Sequence, residues 1–248
     1  MKYLAVALVL ASALLFTPEP SLAQGVPGIS LNVQQTDNPE KVVSSLQIVG
    51  LLTIMAIAPM LVLMMTSFTR LIIVFHFLRQ AMGAAQVPPA QLVVGLALIL
   101  TFYIMSPTLN TINEMALQPY LAKQIDQKTA VTEAVKPLKE FMLAQVRERD
   151  LALFVNMSKT ERPSNPSEIG MTVLVPAYVI SELRIGFQIG FVLYLPFLII
   201  DMVVSSVLLA MGMMMLPPVM VSLPFKILLF VMVDGWYLIV ESMVKSFH

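Results

Sequence analysis

The 248-residue chain has no cysteine and only two histidines, His76 and His248. The first absence excludes disulfides, thiolate metal sites and a cysteine nucleophile. The second leaves too few ligands for a histidine-rich metal centre and argues against a serine–histidine relay. Charge is also scarce. Asp, Glu, Lys and Arg make up 12% of the residues, about half the share of roughly 25% usual in a soluble domain. Fifteen basic residues balance fifteen acidic ones, so no bulk field points to nucleic acid or to an acidic partner. There is no phosphate-binding glycine loop, no paired catalytic carboxylates and no nucleophile constellation, so neither enzymatic activity nor a cofactor is expected. What is plentiful is apolar: 58% of residues are hydrophobic and the mean hydropathy is +0.83. That composition predicts an all-α, membrane-associated protein.

The N-terminus reads as a secretory signal peptide over residues 1–23. Lys2 precedes an apolar run at 4–16, and Ser21 and Ala23 stand at −3 and −1 of a cleavage point. An uncleaved anchor is the alternative. Residues 24–45 form an extended lead-in, with Asn38-Pro39-Glu40 as a helix start. Residues 46–106 then predict a first apolar helical hairpin, kinked at Pro59 and turning at Val87-Pro88-Pro89. Residues 107–184 hold 18 of the 30 charged residues, nine of each sign, and predict a charged extracytoplasmic helical region. Within it Val131, Val135, Leu138, Met142 and Val146 recur at helical spacing, interrupted by Pro137. Residues 185–248 predict a second apolar hairpin. With the signal peptide removed, residue 24 lies outside the cytoplasm. The first cytoplasmic turn then carries Arg70 and Arg79 and no acid, in line with the positive-inside bias.

These segments make poor free-standing spans. The uncharged run at 185–200 would rise only about 24 Å as a helix, short of a hydrocarbon core of about 30 Å. Arg70, Asp201, Lys226 and Asp234 are embedded in or beside apolar runs. A charge at the bilayer centre costs roughly 2.5–3.5 kcal/mol even on lenient scales, so these four are expected to face protein, water or other subunits. Asp201 and Asp234 read as structural groups rather than proton carriers. His76 reads as a packed residue rather than a ligand. Glu182 and Arg184, two apart on a helix, do not face each other. Glu182 is either a solvated helix end or the partner of Arg147 or Arg149.

Six of the 19 methionines lie between Met202 and Met220. Met211, Met213, Met214 and Met215 cluster around Gly212 and immediately precede Leu216-Pro217-Pro218. Methionine is unbranched and polarizable and adapts to varied shapes. Gly212 and the two prolines break regular helix geometry. Three readings stand: core packing, a copper(I) site made of thioethers, or a soft seal. A copper(I) transporter is weakened by the lack of cysteine and the scarcity of histidine.

Several ordered stretches resemble a known family. They are Thr66-Ser67-Phe68-Thr69-Arg70, then Pro176-Ala177-Tyr178-Val179-Ile180-Ser181-Glu182-Leu183-Arg184, and Leu195-Pro196-Phe197 running on to Asp201. The methionine stretch through Pro217-Pro218 follows, then Pro224-Phe225-Lys226 and Asp234-Gly235-Trp236. Together they resemble the FliP family of the flagellar type III export gate, whose homologues serve virulence injectisomes. The signal peptide and lead-in look more like the flagellar branch. The resemblance implies a helical, pore-forming complex of about five such copies with FliQ and FliR, beside the further export proteins FlhB and FlhA. It would sit at the inner membrane and periplasmic side of the basal body and pass unfolded flagellar proteins. The resemblance also implies that Met211, Met213, Met214 and Met215 form a gasket at the constriction. It further implies a salt bridge between subunits, with Glu182 as the acid and Arg147 as the base.

Overall fold

The computed structural model describes residues 39–83, 88–158, 165, 168–213 and 215–247, with side chains from residue 46 onward. The expected signal peptide lies outside the described residues, as does most of the lead-in. Two compact units divide between Leu52 and Thr53. In the first, the described chain is the opening half of α1 (Pro39–Met64), which starts at the proline read as a helix start and continues through Pro59.

The second unit is built of helices joined by turns, with no strand among its described residues. A short turn leads from α1 into α2 (Phe68–Ala81). In that turn the Thr66 hydroxyl donates to the Leu63 carbonyl at 2.7 Å and accepts from the Phe68 N–H at 3.3 Å. Next comes α3 (Ala90–Ile112), which passes through Pro107 into a π-helical turn (Asn113–Leu117) and the short α4 (Gln118–Leu121). The boundary read at residue 106 therefore falls inside one continuous helical stretch, which carries only Glu114 as a charge between there and Leu121. Asp126 caps α5 (Gln127–Gln145) by accepting from the Thr129 N–H at 3.2 Å. Hydrogen bonding from the Thr129 side chain first, and from its N–H second, holds the exposed Asp126 carboxyl below its ordinary pKa. The cap is complete above the unfolded pKa and is lost as pH falls through the folded value. Pro137 does not divide α5. Of its apolar stripe, Met142 is fully buried and Val131 stays exposed. Beyond it lie α6 (Glu148–Met157), α7 (Met171–Ala210), α8 (Pro218–Met232) and α9 (Gly235–Lys245).

The 40 residues of α7 rise about 60 Å. The uncharged run that looked too short to span is the middle of this helix. Arg184 and Asp201 do not end it, because a charge interrupts hydropathy without interrupting backbone hydrogen bonding. Among the described residues, three helices are long and apolar enough to cross a membrane: Leu46–Met64, Ala90–Leu121 and Met171–Ala210. The pair α8 and α9, bent by 63°, makes a fourth if counted as one span. The bend sits at Asp234, whose φ of 50° is left-handed. Gly235 follows because a Cβ there would lie 2.3 Å from the Phe230 ring.

The core is built around α2. Leu71, Val74, Phe75 and Leu78 are buried against Val93, Ala97, Leu100 and Ile104 of α3, Phe197 of α7, and Ile239 and Met243 of α9. A second cluster gathers Met142, Ile169, Leu174 and Tyr178. α2 and α7 run parallel, since Arg70, Ile73 and Phe77 meet Glu182, Gly186 and Gly190 in the same order. The two glycines, four apart, let the α2 side chains sit directly on the α7 backbone. A Cβ on Gly190 would lie 2.6–2.9 Å from Phe77, and one on Gly186 would lie 3.1–3.3 Å from Ile73.

Gly190→Ala should therefore destabilise the fold by about 1–3 kcal/mol through overpacking, read as a lower thermal midpoint in detergent. Gly95→Ala on α3, where nothing lies within 4 Å, should be neutral or stabilising by about 0.5–1 kcal/mol. Equal losses at both positions would refute the close approach.

Candidate functional site: two buried charge clusters and an exposed methionine tip

Arg70 is 1% exposed and Glu182 is 0% exposed. Arg70 Nε donates to Glu182 Oε2 at 2.8 Å, and Nη2 donates to Oε1 at 2.5 Å. Nη2 also donates to Gln145 Oε1 at 3.1 Å. Nη1 donates to the Ser246 carbonyl at 2.8 Å and to Ser246 Oγ at 3.0 Å. All five guanidinium N–H donors are thus used. The Phe247 ring covers the Arg70 Cζ at 3.8 Å, and the Phe247 carbonyl accepts from Gln145 Nε2 at 3.1 Å. One arginine joins α2, α5, α7 and the segment after α9. Burying two charges carries a desolvation cost that only such complete pairing offsets. Beside it the Tyr178 hydroxyl donates to the Thr66 carbonyl at 2.8 Å. The Ser181 hydroxyl donates to Asp150 Oδ2 at 2.9 Å while accepting from the Arg147 N–H at 3.1 Å.

Within the chain, then, the partner of Glu182 is Arg70 and neither arginine of the 147–149 stretch. Arg184, next door in sequence, is exposed. Arg147 keeps a buried Nη1 with no hydrogen-bond partner among the described residues. The pairing of Arg70 with Glu182 was missed because 112 residues separate them. The available signal was a lone arginine and a lone glutamate, each beside an apolar run.

A second cluster lies further along α7. Lys226, 2% exposed, donates to Asp201 Oδ2 at 2.6 Å and to the Ala81 carbonyl at 3.0 Å. The fully buried Ser222 donates to Asp201 Oδ1 at 2.5 Å. These bonds tie α7 to α8 and both to the end of α2. From Glu182 to Asp201 is 19 residues, about 28 Å along α7. Asp234 joins neither cluster and is exposed. His76 is exposed rather than packed as expected, because it faces a cleft beside α2.

The α7–α8 hairpin ends in the methionine loop. Gly212, with φ 73°, closes α7: its N–H donates to the Leu209 carbonyl at 3.0 Å, and the Met213 N–H donates to the Leu208 carbonyl at 3.0 Å. This is a Schellman cap, which requires a left-handed residue and so favours glycine. Pro217 and Pro218 open α8, where a missing N–H has no cost. Met211 is 59% exposed, Met213 43% and Met215 98%; Met214 lies outside the described residues. Core packing within the chain therefore does not account for these three side chains. Much of α7 and α8 is exposed and apolar too, including Phe191, Ile199, Met202, Val207, Leu228 and Val231. Apolar surface on this scale marks contact with lipid or with other chains.

A helical chain with membrane-length spans, two charge pairs held between its helices and much exposed apolar surface is an all-α membrane protein. It belongs to the FliP family, whose family model matches residues 51–243. It is 52% identical to the flagellar biosynthetic protein FliP of Bacillus subtilis (strain 168) over 217 residues, 88% of this chain and 98% of that one. To the protein of that name from Pectobacterium carotovorum subsp. carotovorum it is 47% identical, with 96% and 92% covered. To that of Aquifex aeolicus (strain VF5) it is 43% identical, with 90% and 92% covered.

Arg70→Met should destabilise the chain by about 3–5 kcal/mol, because it leaves the Glu182 carboxylate buried and unpaired. Arg70→Met combined with Glu182→Leu should recover most of that loss. Thermal unfolding in detergent measures both, and a single variant as stable as the parent would show that the pair is not buried.

Proposed function

We propose that this chain is a core subunit of the flagellar type III protein export gate. Several copies, five by family resemblance, would assemble with FliQ and FliR at the inner membrane and periplasmic side of the basal body, alongside FlhB and FlhA. The assembly would pass unfolded flagellar subunits. The observation that carries this reading is the methionine tip: a firmly capped loop that presents Met211, Met213 and Met215 outward, where its own chain does not cover them. Several such tips around an axis, Met214 included, form a gasket. Thioether side chains close against one another and then deform around a passing polypeptide without demanding a sequence. The exposed apolar flanks of α7 and α8 suit packing against further copies.

Replacing Met211, Met213, Met214 and Met215 with alanine should make the assembled complex leaky to small ions in a planar bilayer. Wild-type conductance in an intact complex would sink the gasket.

A bridge from Glu182 to Arg147 of a neighbouring copy would form on assembly, in exchange for part of the Arg70 contact. It requires the fully buried Glu182 to open and the buried Arg147 Nη1, which has no hydrogen-bond partner among the described residues, to turn outward. Glu182→Arg should abolish assembly, scored as loss of the high-mass complex on native gels. Arg147→Glu in the same chain should restore it in part. Rescue by Arg70→Glu alone would assign Glu182 to the intramolecular pair only.

A further inference from the structure

Between α2, α3 and α7 lies a cleft of about 480 Å³, within the size range of small-molecule sites. Its lining is graded along α2. Ile72, Ile73 and Phe77 of α2, with Val94 of α3 and Phe187 of α7, supply an apolar floor. His76, Arg79 and Gln80 supply a polar end where α2 nears its terminus. None of the residues lining the cleft carries a carboxylate. Two of its three walls, α3 and α7, are membrane-length apolar helices. Gly190 receives Phe77, and the Phe77 ring meets the edge of Phe187 at a centroid distance of 5.3 Å, so the aromatic floor is fixed in place.

We propose that this cleft binds an anionic phospholipid, with the acyl chain over Phe77, Val94 and Phe187 and the phosphate at Arg79, His76 and Gln80. Charge complementarity selects the occupant. An apolar trough with one cationic end and no acid matches a molecule that has a single anionic end and a hydrocarbon body. A zwitterionic lipid satisfies the trough but gains less at the cationic end. Free phosphate satisfies the cationic end and leaves the trough empty. The proposal rests on the membrane-length helices and is independent of the methionine gasket.

The test is native mass spectrometry of the full chain in neutral detergent, titrated separately with phosphatidylglycerol, phosphatidylcholine and inorganic phosphate. Phosphatidylglycerol should be retained about fivefold or more over phosphatidylcholine, the effect of one basic residue at an anionic surface. Arg79→Gln should reduce that preference to near unity. Val94→Phe, which fills the trough from a 39% exposed position, should reduce retention of both lipids. Arg149→Gln, on the exposed start of α6, should change neither. If Arg79→Gln does not fold, Val94→Phe decides the question. Equal retention of the two lipids, retention indifferent to Val94→Phe, full displacement by inorganic phosphate, or exclusion of lipid by a second copy of the chain would each overturn the proposal.

Discussion

The Arg70 guanidinium is the constraint on which the described fold depends. A cation inside an apolar helical protein persists only when every donor is met, because an unmet one costs as much as several apolar contacts contribute. Meeting five donors requires four groups from three separate parts of the chain: the Glu182 carboxylate, the Gln145 amide, and the carbonyl and hydroxyl of Ser246. The geometry of one side chain therefore sets the relative placement of α2, α5, α7 and the residues after α9. Apolar packing alone would leave these helices free to rotate or slide, since hydrophobic attraction has no direction.

The two glycines of α7 act with that pair. Once Glu182 is held by Arg70, the parallel register brings Gly186 and Gly190 under Ile73 and Phe77. Further along, Asp201, Ser222 and Lys226 repeat the arrangement for the α7–α8 hairpin. Polar groups thus specify register at two levels of one long helix. The surfaces left over are apolar and await lipid or neighbouring chains, which separates the task of folding from the task of assembly.

Much of this was legible in the sequence. The embedded charges Arg70, Asp201, Lys226 and Asp234 were expected to face protein, water or other subunits; the first three have partners within the chain while Asp234 is exposed, and the turn chemistry of Gly212, Pro217 and Pro218 marked the methionine loop. What the sequence could not supply was which charge meets which, because those distances along the chain are long and a single sequence carries no record of contact. Hydropathy also misplaced the ends of α7. It registers Arg184 and Asp201 as breaks, whereas the backbone responds to dihedral preference and hydrogen bonding. His76 looked packed because its neighbours are apolar, yet Phe75 turns inward while His76 faces the cleft with Phe77. The outward direction of the methionines was equally invisible, since core and exposed methionines share one composition.

The Schellman cap at Gly212 separates position from chemistry. The turn satisfies the last carbonyls of α7 with backbone groups alone, so the helix end asks nothing of the side chains at 211, 213 and 215. Those positions can change in size, polarity or softness while the loop stays where it is. The tip behaves as an interchangeable fitting on a fixed mount. A lineage could change what the tip presents to its surroundings without altering the helices that carry it.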